Sequence, residues 1–149
     1  MVIWPANTHR SNWTTHSTPG WHYAHSPSGY TDNHISLEWL KKCFHPQAQH
    51  RTGNKCRLLI TDGLGTHESA EIQRFAYEHN IILARLGSYT SHKCQPCDVR
   101  PFGPLKIVYR EQVKQLYKKR ASHISKSHFT LFYDRARQNA FTTCNIRSR

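Results

Sequence analysis

The sequence predicts an α/β domain built on a parallel strand–helix–strand unit, and two observations carry this. Leu58, Leu59 and Ile60 follow one another within Arg57 to Thr61, and a second aliphatic run spans Ile81 to Leu86. Between them, Glu68 to Glu78 sets Ile72, Phe75 and Ala76 at helical spacing, so one face of that stretch is apolar. Strand, helix and strand within about thirty residues is a βαβ unit, with parallel strands and a right-handed crossover. The 149 residues are one domain's worth of chain, and 37% of them are hydrophobic.

The remaining elements follow from local signals. Val2-Ile3-Trp4 reads as the end of a strand, stopped by Pro5. From Ala6 to Gly29 the chain is rich in Ser, Thr, His, Asn, Pro and Gly and reads as loop, with a short strand at Trp21 to Ala24. Thr31 or Asp32 caps a helix whose apolar positions are Ile35, Leu37, Trp39, Leu40 and Phe44. Pro46 is expected to end it and Gln47 to Lys55 to be a polar linker. After the second strand, GSYTSHKCQ is loop, a basic helix covers roughly Pro96 to Arg120, and another runs from about Ser127 to Phe141. An interior proline costs a helix about 3 kcal/mol, so Pro101 marks a start or a kink in the basic helix.

Charge narrows the choice of partner. The chain carries 21 Lys and Arg against 9 Asp and Glu, a net of +12. From Gly87 to Arg149 thirteen basic residues face three acids, a local net of +10. Such a half favours a polyanion, with nucleic acid ahead of an anionic membrane, although a merely soluble basic surface gives the same composition. No apolar run approaches the roughly 20 residues that span a bilayer. The N-terminus lacks the pattern of a secretory signal, and the five cysteines then read as reduced thiols of an intracellular protein.

Against that background Asp62 is conspicuous. It follows the first strand directly, at the carboxyl end where open α/β sheets bind ligands, and Gly63 and Gly65 leave the backbone room to turn. Capping the next helix is the plain alternative for such a residue. Asp98 lies 36 positions further on, near the start of the basic helix that follows the second strand, so the two acids are expected to meet across one end of the sheet. Two carboxylates about 4 Å apart repel by roughly 4 kcal/mol at an effective dielectric of 20, and such a pair calls for a proton or a cation. Hard oxygen donors with open positions suit Mg²⁺ or Mn²⁺, and paired metals clamp both oxygens of an in-line phosphoryl displacement.

The stretches LLITDGLGTH and TSHKCQPCDVRPFGPLK resemble the two later catalytic blocks of the DDE superfamily endonucleases, in particular the pogo/Tigger branch with its centromere protein B relatives and fungal Tc1/mariner-type transposons. GYTDNHISLEWLKKCF is similar to the helix that precedes the second acid in that family, and NAFTTCNIRSR to its final helix. The resemblance covers the chain from about Trp21, and the 35 residues between Asp62 and Asp98 fit the family's spacing. It implies a partial RNase H-like fold lacking the first strands, with 1–30 a loop-rich remnant and 31–149 a catalytic core fragment. It also implies Asp62 as second and Asp98 as third catalytic acid, Mg²⁺ or Mn²⁺ as cofactor, DNA as partner and the nucleus as location. His67 and His92 resemble supporting positions. The family's first acid stands on an upstream strand for which this chain has no counterpart, since the only acid before Glu38 is Asp32 at a helix start. The implied fragment is therefore inactive alone and has an unpaired strand edge that promotes self-association. Departures accompany this: Leu64 replaces a usual His, and Gly87-Ser88-Tyr89 a usual Pro-Pro-His. A degenerate or domesticated nucleic-acid-binding module is the alternative reading.

Two further patterns compete for chemistry. Cys94 and Cys97 form a CxxC beside His92, but structural zinc takes four ligands and the other three cysteines make no second pair. Lys106, Arg110, Lys114 and Lys118 recur every fourth residue on one face of the basic helix, with Leu105, Tyr109, Val113 and Leu116 as its buried stripe. That basic face is either solvated or a contact for the DNA backbone, and the latter is sequence-independent and salt-sensitive.

Overall fold

The computed structural model describes residues 1–8, 18–62, 65, 69–87, 95–118 and 126–147. Twelve aliphatic, aromatic and thiol side chains among them are buried, in a mixed α/β arrangement with short parallel strand pairs. The chain divides into two compact units, Met1–His9 with Gly20–Ser91, and Arg10–Pro19 with His92–Arg149.

The first unit holds two separate parallel pairs. β1 (Val2–Pro5) pairs with β2 (Tyr23–Ser26) in the register Val2 to Tyr23, so the short strand lies two residues later than its aromatic content predicts. β3 (Arg57–Thr61) pairs with β4 (Ile81–Arg85) in the register Arg57 to Ile81, and Leu86 N–H donates to the Thr61 carbonyl at 2.9 Å, carrying the ladder one step on. The βαβ unit is thus as the hydrophobic pattern predicts. Its helix α3 (Ala70–Glu78) starts later than Glu68, because Ser69 takes the cap and its hydroxyl accepts from Ile72 N–H.

Helix α1 (Asn33–Trp39) is capped by Asp32, whose carboxylate accepts from Ile35 N–H at 2.7 Å. Pro46 does not end the helical run. Leu40–Phe44 winds as a π-helix, in which His45 N–H donates five residues back to the Leu40 carbonyl, and α2 (His45–Thr52) follows with Pro46 in its first turn. A π turn opens the helix into which the proline ring projects and accommodates a missing N–H, so the run passes through. Most of the expected linker is consequently helix, closed by Gly53 in the left-handed region at φ +60°.

Leu37, Leu40, Ile72, Ala76 and Ile81 form the core of this unit, with Leu59, Phe75 and Leu83 packed on it. Among the described residues, one face of the β3–β4 pair is covered and the other is not. Arg57 and Ile81 are buried, while Leu58 is 59% exposed and Ile82, its register partner, 55%. The run Leu58-Leu59-Ile60 therefore alternates in and out and is not the strand buried on both faces that its composition predicts.

In the second unit the expected single basic helix is two. α4 (Pro96–Val99) is broken from α5 (Phe102–Lys118) at Arg100-Pro101, where Pro101 cannot continue the N–H ladder but its carbonyl accepts from Leu105 N–H at 3.1 Å. α6 (Lys126–Ala140) packs against α5 through Ala136 and Ala140, both fully buried, onto Leu105, Phe102, Val108 and Tyr109. The small α6 side chains let the two backbones approach closely. A short α7 (Thr143–Arg147) ends the described chain.

Candidate functional site

Asp62 leaves β3 at its carboxyl end and is exposed. The ladder bond from Leu86 to the Thr61 carbonyl holds the strand terminus just before it. Asp98 sits in α4, in the other unit, also exposed, with its N–H donating to the Gln95 carbonyl at 3.1 Å. Beside it the Cys97 thiol is pushed up, first by burial and then by the Asp98 charge. His67, His92, Gly63, Leu64 and Cys94 lie outside the described residues.

The other early acids are engaged elsewhere. Asp32 caps α1, and Glu38 forms an ion pair with Lys42 one turn along, which holds its carboxyl below the ordinary carboxylate range. Asp62 and Asp98 are both exposed, and carboxylate oxygens are the hard donors that Mg²⁺ or Mn²⁺ accepts from one or two side chains with water completing the shell. No group of three or more His, Cys, Asp and Glu side chains fit to hold a metal occurs among the described residues.

The four cations predicted to share a face do so. Lys106, Arg110, Lys114 and Lys118 are all exposed on α5, while Leu105 is buried and Tyr109, Val113 and Leu116 are half-buried on the side toward the core. The alternation follows from the helical repeat: residues four apart stack into one stripe.

One constellation carries no clear sequence signal. The Arg57 side chain is buried at the start of β3, where Nη1 donates to His45 Nδ1 at 3.1 Å and to the His45 carbonyl at 3.3 Å, and Nη2 donates to the His79 carbonyl. The His45 and His79 rings meet edge-on at 4.5 Å, and His79 stacks on Phe75 at 4.0 Å. Burial, then the charges of His79 and Arg57, push the His45 imidazole below its ordinary value. An arginine opening an aliphatic run was the available hint, but its two histidine partners are 12 and 22 residues away.

A carboxylate thus follows a parallel strand in the first unit, and a polycationic helix face lies in the second, both within an α/β protein. The chain belongs to the DDE superfamily endonuclease family, whose model matches residues 1–149. That family acts on nucleic acid and generally uses divalent metal ions. The chain is also 33% identical over 147 residues to the MFS-type transporter clz9 of Cochliobolus lunatus, an alignment covering 98% of this chain and 16% of that protein. The chain thus spans about a sixth of the length of that relative. Among the described residues no helix is long and apolar enough to cross a membrane. No solved structure matches the chain.

Proposed function

We propose that this chain is a DNA-binding segment of a transposase-type DDE endonuclease of the pogo/Tigger branch, acting in the nucleus. Asp62 and Asp98 are the acids it contributes to a Mg²⁺ or Mn²⁺ site, and the α5 cations hold the DNA backbone. The observation that carries the reading is the placement of Asp62, exposed immediately after a parallel strand in a chain that matches the endonuclease model from end to end. A divalent ion bound there supplies charge neutralisation for an in-line displacement at phosphorus. The protein's own part is to fix one carboxylate at a strand end and to draw the polyanion to a surface of net positive charge.

The 149-residue chain is catalytically silent on this reading, because Asp32 caps α1 and Glu38 pairs with Lys42, so neither joins Asp62 and Asp98 as a third acid. The exposed Leu58, Ile60 and Ile82 face supports self-association of the isolated chain. Incubation with supercoiled plasmid in Mg²⁺ or Mn²⁺ is expected to leave it unnicked. Joining a family-like upstream segment that bears a further Asp is expected to produce nicking, which Asp62→Ala and Asp98→Ala each abolish. Nicking by the 149-residue chain that vanishes in Asp62→Ala contradicts the silent reading.

A further inference from the structure

The solvent face of α5 holds more than its four cations. At about 100° per residue, Lys106, Arg110, Lys114 and Lys118 spread over roughly 120° of the helix surface, and Tyr117 and Ile107 fall inside that same arc. Tyr117 is 54% exposed and Ile107 60%. Neither is a spare core residue, since the side of α5 that packs on α6 is built from Leu105, Phe102, Val108 and Tyr109.

Duplex DNA offers a protein surface its phosphates and the edges of its bases, and the phosphates ask only for charge. An exposed aromatic ring and an exposed isoleucine set between cations match a strand whose base faces are open, because stacking on a ring is available only to unpaired bases. We propose that this α5 face binds single-stranded nucleic acid in preference to duplex, with Lys106, Arg110, Lys114 and Lys118 along the backbone, Tyr117 stacked on one base and Ile107, about 15 Å away along the helix, against another base a few nucleotides on. The inference rests on the reading of α5 as a nucleic-acid surface and adds which form of nucleic acid it selects.

Charge decides the occupant. The thirteen basic residues between Gly87 and Arg149 against three acids suit a polyanion. A helix that lies on an anionic membrane keeps its apolar residues on one side and its cations on the other. Here the exposed apolar pair stands among the cations, and the separate apolar stripe is occupied by α6.

The test is fluorescence anisotropy of the full chain with a labelled oligothymidylate of about 20 nucleotides, long enough for several site sizes of a typical single-strand binder, and with the corresponding duplex. The single strand is expected to bind at least fivefold more tightly. Tyr117→Ala is expected to weaken single-strand binding about tenfold, within the range of one lost base stack, with duplex binding held within twofold, and Tyr117→Phe to restore it. Equal affinity for both forms, or a Tyr117→Ala loss of equal size on both, overturns the inference while leaving salt-sensitive duplex binding intact. Salt-insensitive binding to both forms removes the underlying reading instead. Binding to phosphatidylcholine–phosphatidylserine vesicles that Tyr117→Ala abolishes, with no preference between strands, overturns it in favour of a membrane surface.

Discussion

At Gly29 the backbone sits at φ +76°, and a Cβ placed there would meet Pro5 Cβ at 3.0 Å and Pro5 Cδ at 3.3 Å. Both restrictions act together: the left-handed region disfavours a side chain, and the proline that would have to give is rigid. Gly29 thereby fastens the turn after β2, where its N–H donates to the Ser26 carbonyl at 3.1 Å, against the end of β1. Gly29→Ala is expected to lower stability by about 1–3 kcal/mol in urea unfolding, whereas Ala in place of Gly20, with nothing within 4 Å, carries only the backbone strain. Equal losses at the two positions contradict the contact with Pro5. That glycine was legible only as part of a loop, because its neighbour Pro5 lies 24 positions away and no local pattern joins them.

Between elements, α2, β3 and the end of α3 are tied by Arg57. Its Nη1 bond to His45 Nδ1 requires that nitrogen to be unprotonated, so a proton on His45 converts an acceptor into a second cation beside a buried guanidinium. His79 and Phe75 enclose the same ring. With the His45 imidazole held below its ordinary value in the folded chain, the unfolded chain takes up a proton first. The stability it contributes is complete above the unfolded value, about 6.5, and is lost as pH falls through the lower folded value. The thermal midpoint is expected to drop between pH 7.5 and 5.5, and to drop less in His45→Gln, which keeps an acceptor and does not titrate. Identical pH profiles for the two proteins contradict this role. At this scale the strand–helix–strand unit and the basic face of α5 were readable because periodicity is local. The passage of the helix through Pro46 was not, since it depends on a π turn that no propensity encodes, and the half-exposure of β3 depends on what covers the sheet.

Across the whole molecule, the proposed role of α5 is to hold DNA for a basic DDE endonuclease chain. The two carboxylates were legible as residues, one by its strand end and one by the block around it. Asp62 and Asp98 belong to different units, and composition says nothing of how units assemble. The charge claim is open to a direct measurement: duplex affinity as a function of salt, for the natural chain and for a variant with Lys106, Arg110, Lys114 and Lys118 all replaced by Gln. Four phosphate contacts release enough counterion for a log–log slope of about −3.6, or roughly two decades of affinity between 50 and 200 mM salt. The natural chain is expected to show a slope at least that steep, and the variant a slope shallower by about that amount. A slope near zero in the natural chain, or the same slope in both proteins, would contradict it.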